Sequence, residues 1–144
     1  MSKLDDVSWH LNAAGIPEDT AEVRAALHIG LFTAWAIQCD GWKGLDGPEA
    51  EPTDQVRSRQ MTGTRFLLDY CDGKLFAEML TPEMASFAER YYPRKYLRAY
   101  AKLLRKRGLR EYQVPDDWQL FDDLAIELQA AHSAKEQRKW WQFW

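Results

Sequence analysis

The chain has 144 residues, the size of one domain, and its 46% apolar and 13% aromatic content excludes intrinsic disorder. The net charge of −3 is unevenly spread: residues 90–110 hold nine basic side chains and no acidic one, leaving 10 basic against 22 acidic elsewhere. Two cysteines, Cys39 and Cys71, exclude a disulfide framework, and the opening Met-Ser-Lys-Leu-Asp-Asp has no apolar leader run, so a cytoplasmic chain with packing cysteines is expected.

Residues 1–18 read as an N-terminal arm anchored by Trp9 and Leu11 and ended by the loop signal Gly15-Ile16-Pro17. A second use of the arm is a polar site in which His10 and Asp5 or Asp6 meet His28. Two histidines and a carboxylate form a metal-binding set, but neither H-x-x-x-H nor H-E-x-x-H spacing is present, so no metal ligand is assigned.

Residues 20–38 are expected to form the central helix. From Ala25 to Ile37 there is no formal charge, no proline and no fully polar face. Thirteen residues rise only about 20 Å, too short for the roughly 30 Å core of a bilayer, so the helix is wrapped by the rest of the domain. Asp19 or Thr20 would cap it, with Glu22 in its first turn. Gly30 in mid-helix costs about 1 kcal/mol relative to alanine, which predicts close approach by another helix. His28 reads as a hydrogen-bonded core histidine.

Residues 39–54 form an acidic loop with three glycines and two prolines. Asp40, Asp46, Glu49, Glu51 and Asp54 surround Lys43, and Trp42 either pins the loop or meets a partner. A short helix is expected near 54–61. Thr62 caps a further helix closed by Gly73, and residues 75–80 read as another helical turn or two. Thr81-Pro82-Glu83 starts a helix whose Met84, Phe87, Ala88 and Tyr91 make a core stripe.

Pro93 is expected to interrupt, before an amphipathic helix over 94–107. Arg94, Lys95, Arg98, Lys102, Arg105 and Lys106 share one face; Tyr96, Leu97, Tyr100, Leu103 and Leu104 share the other. Such a face is either solvated or a contact for nucleic-acid phosphates, an anionic membrane surface or an acidic protein partner. Residues 112–144 read as a helix capped by Asp116 or Asp117, with Trp118, Phe121, Leu124, Ala125, Leu128 and His132 inward and Asp122, Asp123 and Glu127 outward. The closing Trp140 to Trp144 tail is expected to dock on the domain.

These elements define a single all-α domain over 1–144, a bundle of about six or seven helices around the central one. No phosphate-binding glycine loop, nucleophile elbow, zinc-ligand pair or calcium loop occurs, so no catalytic residue and no cofactor is assigned.

Asp-Asp-Val-Ser-Trp-His (5–10), His-Ile-Gly-Leu-Phe-Thr-Ala-Trp-Ala-Ile (28–37) and Phe-Leu-Leu-Asp-Tyr-Cys-Asp-Gly-Lys-Leu (66–75), with Phe87 and Tyr91-Tyr92, together resemble a family of small bacterial cytoplasmic proteins loosely associated with toxin–immunity loci. The resemblance spans residues 5–100. It supplies no catalytic residues; the stretch 40–54 and the extension beyond 112 look particular to this chain. It implies a non-enzymatic immunity protein that binds a cognate toxin domain, expected to be basic, with a nuclease among the toxins that fit. The expected contact segment is Asp40, Trp42, Asp46, Glu49, Glu51 and Asp54, with Asp116, Asp117, Asp122 and Asp123 as the second choice. The alternatives are a nucleic-acid module using Arg94, Lys95, Arg98, Lys102, Arg105 and Lys106, and a small metal-dependent enzyme at His10 and His28. No membrane partner is expected.

Overall fold

The computed structural model describes residues 2–13, 16–44 and 50–141, with backbone alone for residue 50 and for 135–141. Leu45, Asp46 and Glu49 lie outside these residues, as do the side chains of Trp140 and Trp141 and all of residues 142–144. The described residues form six α-helices and one small antiparallel sheet, so the fold is essentially helical. None of these helices is long and apolar enough to cross a membrane.

Helix α1 (Ala21–Gln38) is the hub. Every residue from Ala25 to Ile37 is buried, as its uncharged sequence requires. Thr20 occupies the N-cap position, but its hydroxyl takes a hydrogen bond from Arg24 Nε at 2.8 Å and caps nothing. Helix α2 (Ala50–Arg57) starts earlier than the prolines suggest, because Pro52 falls in the first turn, where its missing N–H has no helical acceptor to satisfy. Helix α3 (Gly63–Tyr70) begins at Thr62, whose Oγ1 accepts from Arg65 N at 3.1 Å. Gly73 closes the segment at φ +68°, with its N–H on Leu67 O.

Two stretches are strands where the sequence predicts helix or coil. Strand β1 (Lys3–Asp6) pairs antiparallel with β2 (Lys74–Phe76), placing Lys3 opposite Phe76, Asp5 opposite Leu75 and Asp6 opposite Lys74, with an irregularity between Lys3 and Asp5. Three or four residues are too few to show an alternating pattern. The pairing is tertiary: it straps the arm to the domain, extended by Val7 N on Gly73 O at 2.9 Å.

Helix α4 (Pro82–Tyr91) is capped by Thr81 Oγ1 on Met84 N, with Pro82 at its first position. Pro93 does not break the helical path. The backbone widens into a π-helical turn over Tyr92–Tyr96 and runs straight into α5 (Leu97–Lys106). An absent N–H is tolerated where the ladder is being re-registered anyway. Helix α6 (Trp118–Trp141) is capped by Asp117 Oδ1 on Leu120 N at 2.9 Å, and it buries Leu120, Phe121, Leu124 and Leu128. His132 sets its ring 5.0 Å from Phe87 and 5.8 Å from Trp35.

The tightest contact is between α1 and α3. A Cβ on Gly30 would lie 2.4 Å from Thr64 N, and one on Gly63 would lie 1.9 Å from the Gly30 carbonyl oxygen. Backbone meets backbone, which is the close approach that Gly30 predicts. Helix propensity alone makes Gly30→Ala stabilising by about 1 kcal/mol. Packing decides otherwise: neither backbone has a side chain to move aside, and overpacking of this kind costs about 3 kcal/mol. Gly30→Ala and Gly63→Ala are each expected to lose about 2 kcal/mol or more, read as a lower urea midpoint at unchanged slope.

Candidate functional site

Strand β1 turns Asp5 inward, where it is 3% exposed, against the middle of α1. An unpaired carboxylate there would cost several kcal/mol. The fold supplies four donors. His10 Nε2 lies 2.7 Å from Asp5 Oδ1, His28 Nε2 lies 3.0 Å from Oδ2, Tyr92 OH donates to Oδ2 at 2.7 Å, and the Asp6 N–H reaches Oδ1 at 2.8 Å. His10 and His28 meet edge to face with centroids 4.5 Å apart. The other nitrogen of His10, Nδ1, sits 3.1 Å from Tyr112 OH. Tyr96 OH donates to the carbonyl of His28, and the Tyr100 ring lies 5.9 Å from the imidazole.

The electrostatics are set by these partners. Burial pushes the Asp5 carboxyl up, but the hydrogen bonds from His10, His28 and Tyr92 outweigh it and hold the group below the usual carboxylate range. An ionised carboxylate has no proton to give, so both Nε2 atoms carry hydrogen and donate. The bond to Asp5 raises the His10 pKa against the opposing effect of its burial. Burial, with Glu111 beside it, pushes Tyr112 up to about 12. Of the two carboxylates considered for this site, Asp5 is the one used. Asp6 instead binds Ser8 N, Ser8 Oγ and Lys3 Nζ at 2.8–2.9 Å.

The tyrosines complete this cluster; the sequence places Tyr96 and Tyr100 on the apolar face of their helix and gives Tyr92 no role of its own. Tyr92, Tyr96 and Tyr100 repeat every four residues and stack, with centroids 4.8 and 6.4 Å apart. That spacing, together with the need of a buried phenol for a hydrogen-bond partner, is the signal in the sequence that could have found them.

The expected acidic interface is largely engaged within the chain. Trp42, expected either to pin the loop or to meet a partner, is 7% exposed, bridged to Leu80 and edge-on to Phe66, so it is a core residue and not an exposed contact. Arg57 reaches both Asp40 and Asp54, at 3.4 and 3.1 Å. Arg59 holds Asp122 through both its terminal nitrogens, Arg107 pairs with Asp123, and Asp117 is the cap of α6. Glu51 and Asp116 are exposed; Asp46 and Glu49 lie outside the described residues. The basic face differs. Arg94, Lys95, Arg98, Lys102, Arg105 and Lys106 are all exposed, and among the described residues none makes an ion pair. Tyr96 and Tyr100 are buried behind them, as helical phasing predicts.

Residues 3–114 match the family model described as "Domain of unknown function (DUF7832)", and the chain belongs to that family. No curated protein and no solved structure matches it.

Removing the acceptor strands three buried donors, whereas removing one donor strands none. Asp5→Ala is therefore expected to lose about 3–5 kcal/mol, and Tyr92→Phe about 1 kcal/mol. Chemical denaturation of both variants and of the double mutant checks this, and the double mutant should fall short of the sum because the two groups share one bond.

Proposed function

We propose that this member of the DUF7832 family is a non-enzymatic binding protein, of the kind that neutralises a cognate bacterial toxin by covering it. The observation that supports this reading is the partition of charge. Four of the acidic side chains at the expected interface, Asp40, Asp54, Asp122 and Asp123, are tied to arginines of the same chain, whereas six cations along one helical face, 92–106, make no ion pair among the described residues. Free charge on a pre-organised face steers association and sets register without an ordering cost in the binder.

On this reading the partner differs from the basic toxin domain expected from the sequence. The docking face is basic, so the partner presents an acidic patch and not a basic one. A protein fits better than a nucleic acid for two reasons. Outside residues 90–110 the chain carries 10 basic against 22 acidic residues, which repels a uniform polyanion but tolerates a confined acidic patch. Tyr96 and Tyr100 are buried, so neither offers its ring to a base from this segment's basic side.

The test is charge reversal. Arg98→Glu, Lys102→Glu and Arg105→Glu together, all at exposed positions, are expected to weaken binding to the toxin domain encoded beside this gene by about 100-fold while leaving the thermal midpoint near that of wild type. Raised salt should slow association of the wild type. Unchanged affinity in this triple variant, with loss in an Asp46→Lys, Glu49→Lys, Glu51→Lys variant, would return the interface to the acidic loop. Micromolar binding of a mixed-sequence oligonucleotide, weakening steeply with salt, would replace the protein partner with nucleic acid.

A further inference from the structure

We infer that Asp5, His10 and His28 form a binding site for a divalent first-row transition ion of the zinc class. The inference is independent of the basic face. One ligand atom from each of the three lies within 4.8 Å of the others, an N2O set drawn from the arm, the turn after it and the central helix. Imidazole and carboxylate together suit zinc and its neighbours, whereas magnesium and calcium prefer all-oxygen shells.

The distances are close to what an ion needs. Bond lengths of about 2.0–2.2 Å at a tetrahedral ion place ligand atoms roughly 3.3 Å apart. His10 Nε2 lies 2.7 Å from Asp5 Oδ1 and His28 Nε2 3.0 Å from Oδ2, with the three ligand atoms within 4.8 Å of one another, so each histidine must open slightly from the carboxylate and the set must adjust around the ion. Outer groups of the kind a metal centre uses stand beside two of the three ligands, His10 and Asp5. Ligating histidines are oriented through their second nitrogen and ligating carboxylates through a hydrogen bond. Here His10 Nδ1 faces Tyr112 OH, and Asp5 Oδ2 receives Tyr92 OH.

Proton placement allows the exchange. Without an ion, the His10 Nε2–H donates to Asp5 while Nδ1 lies 3.1 Å from Tyr112 OH, which also has Glu111 as an acceptor. For the ion to bind, His10 and His28 must each carry their hydrogen on Nδ1 and free the Nε2 lone pair. A hydroxyl both donates and accepts, so Tyr112 then accepts from His10 Nδ1–H without moving. His10 is half-buried with its side chain 20% exposed, which leaves a solvent-side approach, while Asp5 and His28 are each 4% exposed.

The experiment uses the full chain, stripped with chelator, dialysed, and titrated with Zn2+ by calorimetry and with Co2+ by visible absorption. One ion per chain with sub-micromolar affinity is expected, together with a cobalt spectrum of a low-coordinate site and a thermal midpoint that rises with Zn2+ but not Mg2+. His10→Ala sits at the half-exposed edge and should remain folded, yet lose the cobalt spectrum. Tyr112→Phe should weaken Zn2+ binding about 10–100-fold and retain the spectrum. If His28→Ala fails to fold, the His10 and Tyr112 variants still decide. No stoichiometric ion in folded wild type, or identical binding by His10→Ala, would overturn the site and leave Asp5 as the centre of a hydrogen-bond network only.

Discussion

A carboxylate inside an apolar domain constrains everything placed around it. Asp5 has four acceptor positions and the fold fills four, with donors from the strand itself, the turn after it, the central helix and the π-helical turn. Each donor comes from a segment that must be correctly positioned before the charge is matched. The carboxylate therefore specifies the arm's location more sharply than apolar burial would, because a strand slipped by one residue would present Asp6 or Leu4 in its place. Buried polar groups do not always add stability, but here the mismatch penalty falls on any alternative docking of the arm.

Helix α1 makes that arrangement possible by being buried on all sides. The same surround that excludes water from Ile29, Phe32 and Ile37 lowers the local dielectric at His28 and strengthens its bond to Asp5. On another side, Gly30 lets α3 approach until backbones touch. The two features lie two residues apart in sequence. One fixes the axial position of α1 through a polar contact and the other through the absence of side chains, so the helix is held in register by both.

Much of this is legible from residue types alone. The caps at Thr62, Thr81 and Asp117, the glycine at 73 and the uncharged run 25–37 each act locally, and local chemistry survives the loss of tertiary information. The strands at 3–6 and 74–76 do not show because strand pairing across seventy residues leaves no mark in so short a segment. The polar cluster is visible as a possible meeting of His10, His28 and an aspartate, without a spacing to support it, since its members come from separate elements and not from one helix. Trp42 misleads for a different reason: an aromatic in an acidic, glycine-rich stretch reads as surface, while its actual partners, Phe66 and Leu80, are far along the chain.

The π-helical turn at Tyr92–Tyr96 joins the two parts of the molecule that matter most. An uninterrupted α-helix from Pro82 to Lys106 would keep one phase throughout, and the stripe of α4 built on Met84, Phe87 and Ala88 would continue on its own bearing. A π turn winds more residues into each turn and rotates the helix beyond it. In this chain the rotated segment turns Tyr92, Tyr96 and Tyr100 toward Asp5 and His28, and by the same rotation turns Arg94, Arg98, Lys102 and Arg105 to solvent. Pro93 suits that position because it removes a backbone donor at the point where the hydrogen-bond ladder changes register. The buried hydroxyls and the exposed cations are thus opposite faces of one rigid segment, and the tyrosine anchors that tie its inner face to the arm also fix the bearing of its outer one.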